Sequence, residues 1–523
     1  MQTTRDPSGM RRPLSKSRWI LLISCCVILL AVGIGAALLI RYWPFNQADI
    51  VETLQETVPG TKVTIARFHS TYFLHPGCIA EGVVFIREAS PSGSPPLVTV
   101  QKLLIQAQYA DLFLRPGYVS RIVIGGLHIQ VPPRGSSIAS QSSSSPADTS
   151  SRQTVVGEIS ADDALLEIGR RDDSPLRFEI HGIQLNSAGV DKVMSYRVQL
   201  RNALPPGEIR STGKIGPWNA HDPGQIPVSG SYKFDQADLG VFSGIGGTLS
   251  SAGKFDGRLG QIEVKGNTDT PAFEVKISGH PFPLKSSFQA QVDGTNGDVK
   301  LTRVDVLLQD MPIEVQGGII GKPPAPGKTT SLDLIADRGS VQNVLRPFVK
   351  ASVPPMAGPM NFRAHVVLAP GDRSFLKRVS LSGDFSIDHG RFTTSETQQN
   401  VNQLSENSRG IKENNGDPPM VESNLKGHVM LSEGVAKFST LFFAIPGASA
   451  QMKGTFDISS KKVDFHGTLK TDAELSKETH GIKSVLLKPL DPLFKRKHHG
   501  AVVPVEMTGT YSQPHFGIEV LPK

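Results

Sequence analysis

This chain has little on which bond-making chemistry could be built. Of its 523 residues three are cysteines, Cys25, Cys26 and Cys78. The first two sit inside a long apolar run, so Cys78 has no partner for an intrachain disulfide, and the fold must hold without such staples. A reactive Cys78 and a buried, inert one are both open readings. The second is favoured, because free cysteine is among the most buried residue types. There is no GxSxG elbow, HExxH, Walker loop or CxxC pair, the short motifs that betray hydrolases, zinc sites, nucleotide sites and redox pairs. Gly244-Ile245-Gly246-Gly247 lacks the spacing of a dinucleotide loop and reads as a turn. Asp162-Asp163 and Asp172-Asp173 read as solvated acids, and His498-His499 as part of a basic surface. No catalytic, cofactor-binding or metal-ligating residue is assigned, and none of the motifs supports an enzyme.

Net charge is also scarce where it would matter. The formal charge is +7. Residues 1–18 supply +4 of it, from Arg5, Arg11, Arg12, Lys16 and Arg18 against Asp6. The rest is nearly balanced and shows no basic stripe interleaved with aromatic residues, so no nucleic-acid partner is expected.

What the chain does have is one long hydrophobic run. Residues 19–40, from Trp19 to Ile40, carry no charge, enough for a helix across a bilayer core of about 30 Å. The basic flank before it and Arg41, Tyr42 and Trp43 after it predict an N-terminus inside and a body outside, in the periplasm of a Gram-negative cell. A cleaved signal peptide usually has a shorter apolar region. A lipoprotein box at Leu22–Cys25 would leave the apolar run continuing past its cysteine. The length favours an uncleaved anchor spanning 19–41, after a cytoplasmic tail over 1–18.

Residues 46–58 carry Ile50, Val51, Leu54 and Val58 at helical spacing, closed by Pro59-Gly60. The period then falls to two. Val198 and Leu200 alternate with Arg197, Gln199 and Arg201; Val275 and Ile277 with Glu274 and Lys276; Val304, Val306, Ile313 and Val315 follow, and Val505 and Met507 come late. Such alternation means one apolar and one wet face. These ten apolar residues are the candidate lining of a shared apolar face. The Ser-rich stretch 134–153 reads as a linker between an N-terminal module (42–133) and a β body (154–392). Residues 393–420 read as a polar loop with a short helix around Val401–Leu404, before a C-terminal β module (421–523). Gly297 and Gly317 recur as Gly434 and Gly454, each pair framing a Lys and a large apolar residue. The pattern suggests stacked hairpins.

Helices to cover so long an apolar face are few: 46–58, pieces near 340–349 and 401–408, and 482–497. The face must pack on a second sheet, close, coil, or stay open for an apolar ligand. In 482–497, Leu486, Leu490, Leu493 and Phe494 recur at helical spacing beside Lys495 and Arg496. A cap over the sheet end and a membrane contact are both open readings, with Pro489 and Pro492 against one smooth helix.

Four stretches resemble the AsmA family of bacterial envelope proteins, a group that also includes TamB. They are the N-terminal span followed by PGTKVTIARF, the run VTVQKLLIQAQYADLFLRPGYVSRIVIGGLHIQV (98–131), DGTNGDVKLTRVDVLLQDMPIEVQGGI (293–319), and the close LLKPLDPLFKRKHHGAVVPVEMTGTYSQPHFGIEV (486–520). The Ser-rich 134–153 and polar 411–420 depart from a compact pattern. The resemblance implies a mainly β fold: a long twisted antiparallel sheet forming an open, taco-like repeating groove, with few short helices and one N-terminal transmembrane helix. It implies an inner-membrane anchor, a periplasmic body, phospholipid as cargo, and the outer membrane or its assembly machinery as further partners, with no cofactor. A scaffold for outer-membrane protein assembly without lipid transport is the alternative.

Overall fold

The computed structural model describes residues 45–472 and 502–518, less 58–59, 74, 88–94, 116–117, 133–154, 170–173, 190–191, 220–221, 323–326, 372, 410–419 and 511–512. The expected anchor from Trp19 to Ile40 and the segment holding Leu486, Leu490, Leu493, Phe494, Lys495 and Arg496 lie outside these residues. Among the described residues no helix is long and apolar enough to cross a membrane.

Helix α1 (Gln47–Thr57) leads into β1 (Thr61–Thr71), β2 (Gly77–Arg87) and β3 (Val98–Gln106). A short α2 (Tyr109–Leu114) precedes β4 (Tyr118–Val131). Then come β5 (Val155–Ile168), β6 (Leu176–Ala188), β7 (Met194–Ala203), β8 (Pro206–Ile215) and β9 (Pro227–Asp238). The two-residue β10 (Ile245–Gly246) is followed by β11 (Thr248–Arg258), β12 (Gln261–Val275), β13 (Phe282–Val292), β14 (Val299–Leu308), β15 (Met311–Gly321) and β16 (Lys328–Ser340). Helix α3 (Val341–Leu345), β17 (Met356–Ala357), β18 (Pro359–Leu368), α4 (Phe375–Arg378), β19 (Val379–Phe392) and α5 (Ser395–Arg409) come next. The chain closes through β20 (Ser423–Ser432), β21 (Val435–Ile445), β22 (Ala448–Asp457), β23 (Lys462–Thr471), β24 (Val502–Thr510) and β25 (Gln513–Ile518).

These strands form one open sheet in which nearly every strand pairs with the next. The minute strands β10 and β17 pair at the margin with β12 and β19, so β9 meets β11 and β16 meets β18. All ladders are antiparallel except β4–β5. That exception has a cause: parallel neighbours need a long connection, and residues 132–154 supply it. The ladder therefore runs without a break past the Ser-rich stretch. Elsewhere the hairpins are tight. Ser432 faces Val435 across Glu433-Gly434, both with positive φ (50° and 84°), as a two-residue loop of the twist-matching type requires. Ile445 faces Ala448 across Pro446-Gly447, where Gly447 takes φ 85°.

The repeat foreseen at Gly297 and Gly434 is real in register. Leu301 faces Gly317, Phe438 faces Gly454, and a bulge follows each pair at the same offset.

Burial is patchy. Buried Phe45 and Ile50 cap β1–β4, packed with Val63, Cys78, Val83 and Leu103. Cys78 is 0% exposed, and burial pushes its thiol up to about 12, which makes it inert at neutral pH. Helix α5 caps the β21–β24 region through Val401, and α3 contributes Val341 and Val344 near β15–β19. Between these caps, β5 to β12 join no clustered hydrophobic core among the described residues.

Two expectations need correction. The helix expected around Val401–Leu404 extends over Ser395–Arg409. Its packed side is largely polar, which is why hydrophobic spacing understates it. Gln398 donates to the Val421 carbonyl (2.8 Å), Asn402 accepts from the Val421 N–H (3.0 Å), and Ser405 donates to the Pro446 carbonyl (2.7 Å). The strand read through Val275 and Ile277 stops at Val275; Ile277 lies in the following turn, 37% exposed. The Lys276 N–H bonds the Gly244 carbonyl, in register with the β10–β12 pairing, and the chain turns directly after it.

Candidate functional site: an uncharged face across the sheet

Residues directly opposite in adjacent strands share a face, so the register lets one row be followed across the whole sheet. From Val198 on β7 it passes through Ile183, Ala161, Ile124, Leu103 and Ala80 to Phe68 on β1. In the other direction it runs through Ser211, Tyr232, Gly253, Gly266, Phe288, Val304, Val315 and Leu334. It continues through Ala364, Gly383, Val429, Phe438, Gly454 and Phe465 to Met507 on β24. No member is charged. At about 4.8 Å per strand the row is on the order of 100 Å long.

Parallel rows on the same face are equally free of charge. One links Leu200, Ile209, Phe234, Ser251, Thr268, Ser286, Val306 and Ile313. Val505 belongs with Gly467, Met452, Leu441 and Gly427. Seven of the proposed lining residues thus stand on the two rows that cross β7: Val198, Val304, Val315 and Met507 on the first, Leu200, Val306 and Ile313 on the second. Val505 sits one row from Met507 on the same face. Val275 pairs with Ile245 at the sheet margin, and Ile277 is on no strand. The exposure of the eight differs. Val304, Ile313 and Val315 are 9%, 8% and 8% exposed in the packed patch beside α3, whereas Val198, Leu200, Val306, Val505 and Met507 are half-buried.

Two features of this face escape one-dimensional reading. The first is a glycine floor under aromatic rings. A Cβ on Gly253 would lie 2.7 Å from the Tyr232 ring, and one on Gly266 would lie 2.8 Å from the Tyr232 hydroxyl and 3.0 Å from the Phe288 ring. The second is a seam of hydroxyls within the apolar surface. Tyr196 pairs with Ser211 (3.1 Å), Tyr232 with Ser251 (3.1 Å) and Thr268 with Ser286 (2.7 Å). These groups satisfy one another, which lowers the cost of keeping them on an apolar face.

The opposite face is charged and exposed. It carries cross-strand pairs such as Arg67–Glu81 (3.1 Å) and Arg177–Glu167 (2.7 Å). Two Ser–His–Asp sets occur there with the same geometry. His365 contacts Asp333 at 2.7 Å and Ser331 at 3.3 Å; His428 contacts Asp384 at 2.8 Å and Ser382 at 3.2 Å. Each arises because a Ser-x-Asp on one strand meets a His directly opposite the Asp. They stand outside the concavity over β4–β11 and the one over β9–β14 on this face. The signal that could have found them is Ser-x-Asp in a strand with a His on the strand one hairpin away.

Carboxylates on the polar face make the fold sensitive to acid. Burial alone would raise the Glu167 carboxyl, but hydrogen bonds from His128 (3.0 Å) and Arg177 more than offset it and hold it below the usual 4.5. Arg391 and His389 lower Glu422, and Thr295 lowers Asp293. Each folded-state value lies below its unfolded one, so the unfolded chain binds more protons in acid. The stabilisation is complete above the ordinary carboxylate range and is lost as pH falls through the depressed values. Urea midpoints measured from pH 7 downward should stay flat to about pH 5 and then fall. In Glu167→Gln the fall should be shallower.

No family model, curated protein or solved structure matches this chain.

Proposed function

We propose that the protein is a membrane-tethered, non-catalytic carrier that lays phospholipid acyl chains along the apolar face of its sheet, with that face curved into a groove. The observation that carries this is the uncharged row from Phe68 to Met507, left without a helical cap over β5–β12 among the described residues. An acyl chain needs only apolar lining and length, at about 0.8 kcal/mol per buried methylene, so the lack of a reactive set is no obstacle. The anchor expected at residues 19–41 would hold one end at an inner membrane, and the AsmA-family resemblance points to passage of lipid toward an outer membrane.

The hydroxyl seam fits this reading as a polar interruption where a headgroup could be tolerated. The scaffold alternative draws on the open edge: β25 pairs with β24 alone among the described residues, and an unpaired edge can accept a client strand. The deciding test is mass spectrometry of lipids retained by the detergent-extracted chain, with photocrosslinkers at Val198 and Ile183 against Gln199, and at His515 on β25. Phospholipid adducts from the first two alone support the carrier. Protein adducts at β25 with no lipid at Val198 or Ile183 support the scaffold instead.

A further inference from the structure

Independently of the apolar face, the polar face holds a basic cleft. It has a volume of ≈ 980 Å³ and crosses β4 to β11. One cation on each of four laterally consecutive strands lines it: Arg197 (β7), Arg210 (β8), Lys233 (β9) and Lys254 (β11). Arg121 on β4 adds a fifth, and Asp162 is the one carboxylate among the lining residues. Neighbouring acids balance this only in part. Arg210 and Lys233 share Asp235, at 3.4 and 3.9 Å, and Arg121 leans on Glu158 at 3.7 Å. Arg197 and Lys254 make no ion pair among the described residues.

The register adds to the excess. Arg210 faces Lys233 directly and Lys254 faces Lys265. Like charges opposite each other destabilise a ladder, so this arrangement costs the isolated sheet something that a bound anion would relieve. Elsewhere on the face some cations are matched, as in Arg303–Asp305 (3.0 Å), and others such as Lys285 and Lys453 also make no ion pair among the described residues, so what distinguishes the cleft is four cations on four adjacent strands. A concave surface of one sign focuses the field and concentrates counter-ions.

The remaining lining includes His181, Ala252 and a set of hydroxyls and amides: Ser160, Gln184, Gln199, Thr212 and Ser231. The hydroxyls and amides suit a ligand that is hydroxylated along its length. A nucleic-acid strand would call for stacking aromatics, which the outward side chains here do not provide. We propose that this cleft binds an anionic oligosaccharide, with its phosphate, sulfate or carboxylate groups on Arg197, Arg210, Lys233 and Lys254 and its ring hydroxyls on the Ser, Thr and Gln side chains.

The test uses the full chain in detergent and a heparin-derived hexasaccharide, titrated calorimetrically. Saturable binding is expected, falling with added salt, absent for the desulfated hexasaccharide, and weakened about tenfold or more in R197Q/K254Q, since charge-assisted hydrogen bonds are lost. R303Q, on the same face outside the cleft, should bind as the parent does. Both substituted side chains of the double variant are exposed, so its thermal unfolding should match the parent. Failure of the hexasaccharide to bind would overturn the proposal, as would equal affinity in R197Q/K254Q. Glycerol 1-phosphate, the bare phosphate of a lipid headgroup, serves as the third arm. If it binds as tightly as the hexasaccharide, the cleft is a single-phosphate site and the oligosaccharide assignment fails.

Discussion

Val198→Asp is expected to strip phospholipid from the purified protein, and Gln199→Asp one residue away is expected to leave it in place. Val198 is half-buried in the uncharged row, on a strand that no helix caps among the described residues. A carboxylate there either stays ionised beside an acyl chain or drags water onto the track. If about four methylenes lose their apolar contact, the loss is about 3 kcal/mol, roughly a hundredfold in retention. Gln199 is exposed on the other face. Because Val198 has no packed core around it, both variants should unfold within about 1 kcal/mol of the parent. Lipid content by mass spectrometry and urea midpoints check the two halves separately. Equal lipid content in the two variants would remove Val198 from any lipid path.

Much of this arrangement could be read from the order of residues. Period-two alternation placed Val198, Leu200, Val304, Val306, Ile313, Val315, Val505 and Met507 on one face because the pleat leaves a side chain no other choice. It overran at Ile277, since alternation cannot see where a ladder stops. It also could not rank exposure: Val306 and Val315 look alike in sequence, yet only Val315 is buried, in the patch that Val344 joins. Lateral register is harder still, because it depends on hairpin loops and bulges that shift pairing by one residue. That is why the hydroxyl seam, the two Ser–His–Asp sets and the basic cleft went unseen. Arg197, Arg210, Lys233 and Lys254 lie far apart in sequence and become neighbours only when four strands are aligned. Whole-chain charge, near balance outside residues 1–18, averages such a cleft away.

The glycines that face the bulged strands β14 and β21 show how far the fold depends on register, and Gly317→Val is expected to be the more destabilising change of the two. Gly317 takes φ 143°, where side chains are strained, and a Cβ there would sit 2.0 Å from the Ser331 carbonyl oxygen and 2.9 Å from the Leu332 Cα. Backbone cannot swing aside as a flexible side chain can, so β15 and β16 must separate locally. Overpacking and strain together place the cost at about 3 kcal/mol or more. Gly454, its counterpart in the repeated hairpin, would place a Cβ 2.2 Å from the Asp464 carbonyl oxygen and against the Phe465 ring. Gly454→Val should then also destabilise, but less, because no positive φ adds to the clash. Gly279→Ala is the control. Gly279 has φ 69° but nothing within 4 Å of the added atom, so only the conformational cost of about 1 kcal/mol remains. Hydrogen exchange should show the effect of Gly317→Val concentrated in β14–β16, because each strand of an open sheet is held mainly by its two neighbours. An equal loss of protection from β1 to β24 would mean that the sheet unfolds as a single unit. The uncharged face would then stand or fall as a whole rather than strand by strand.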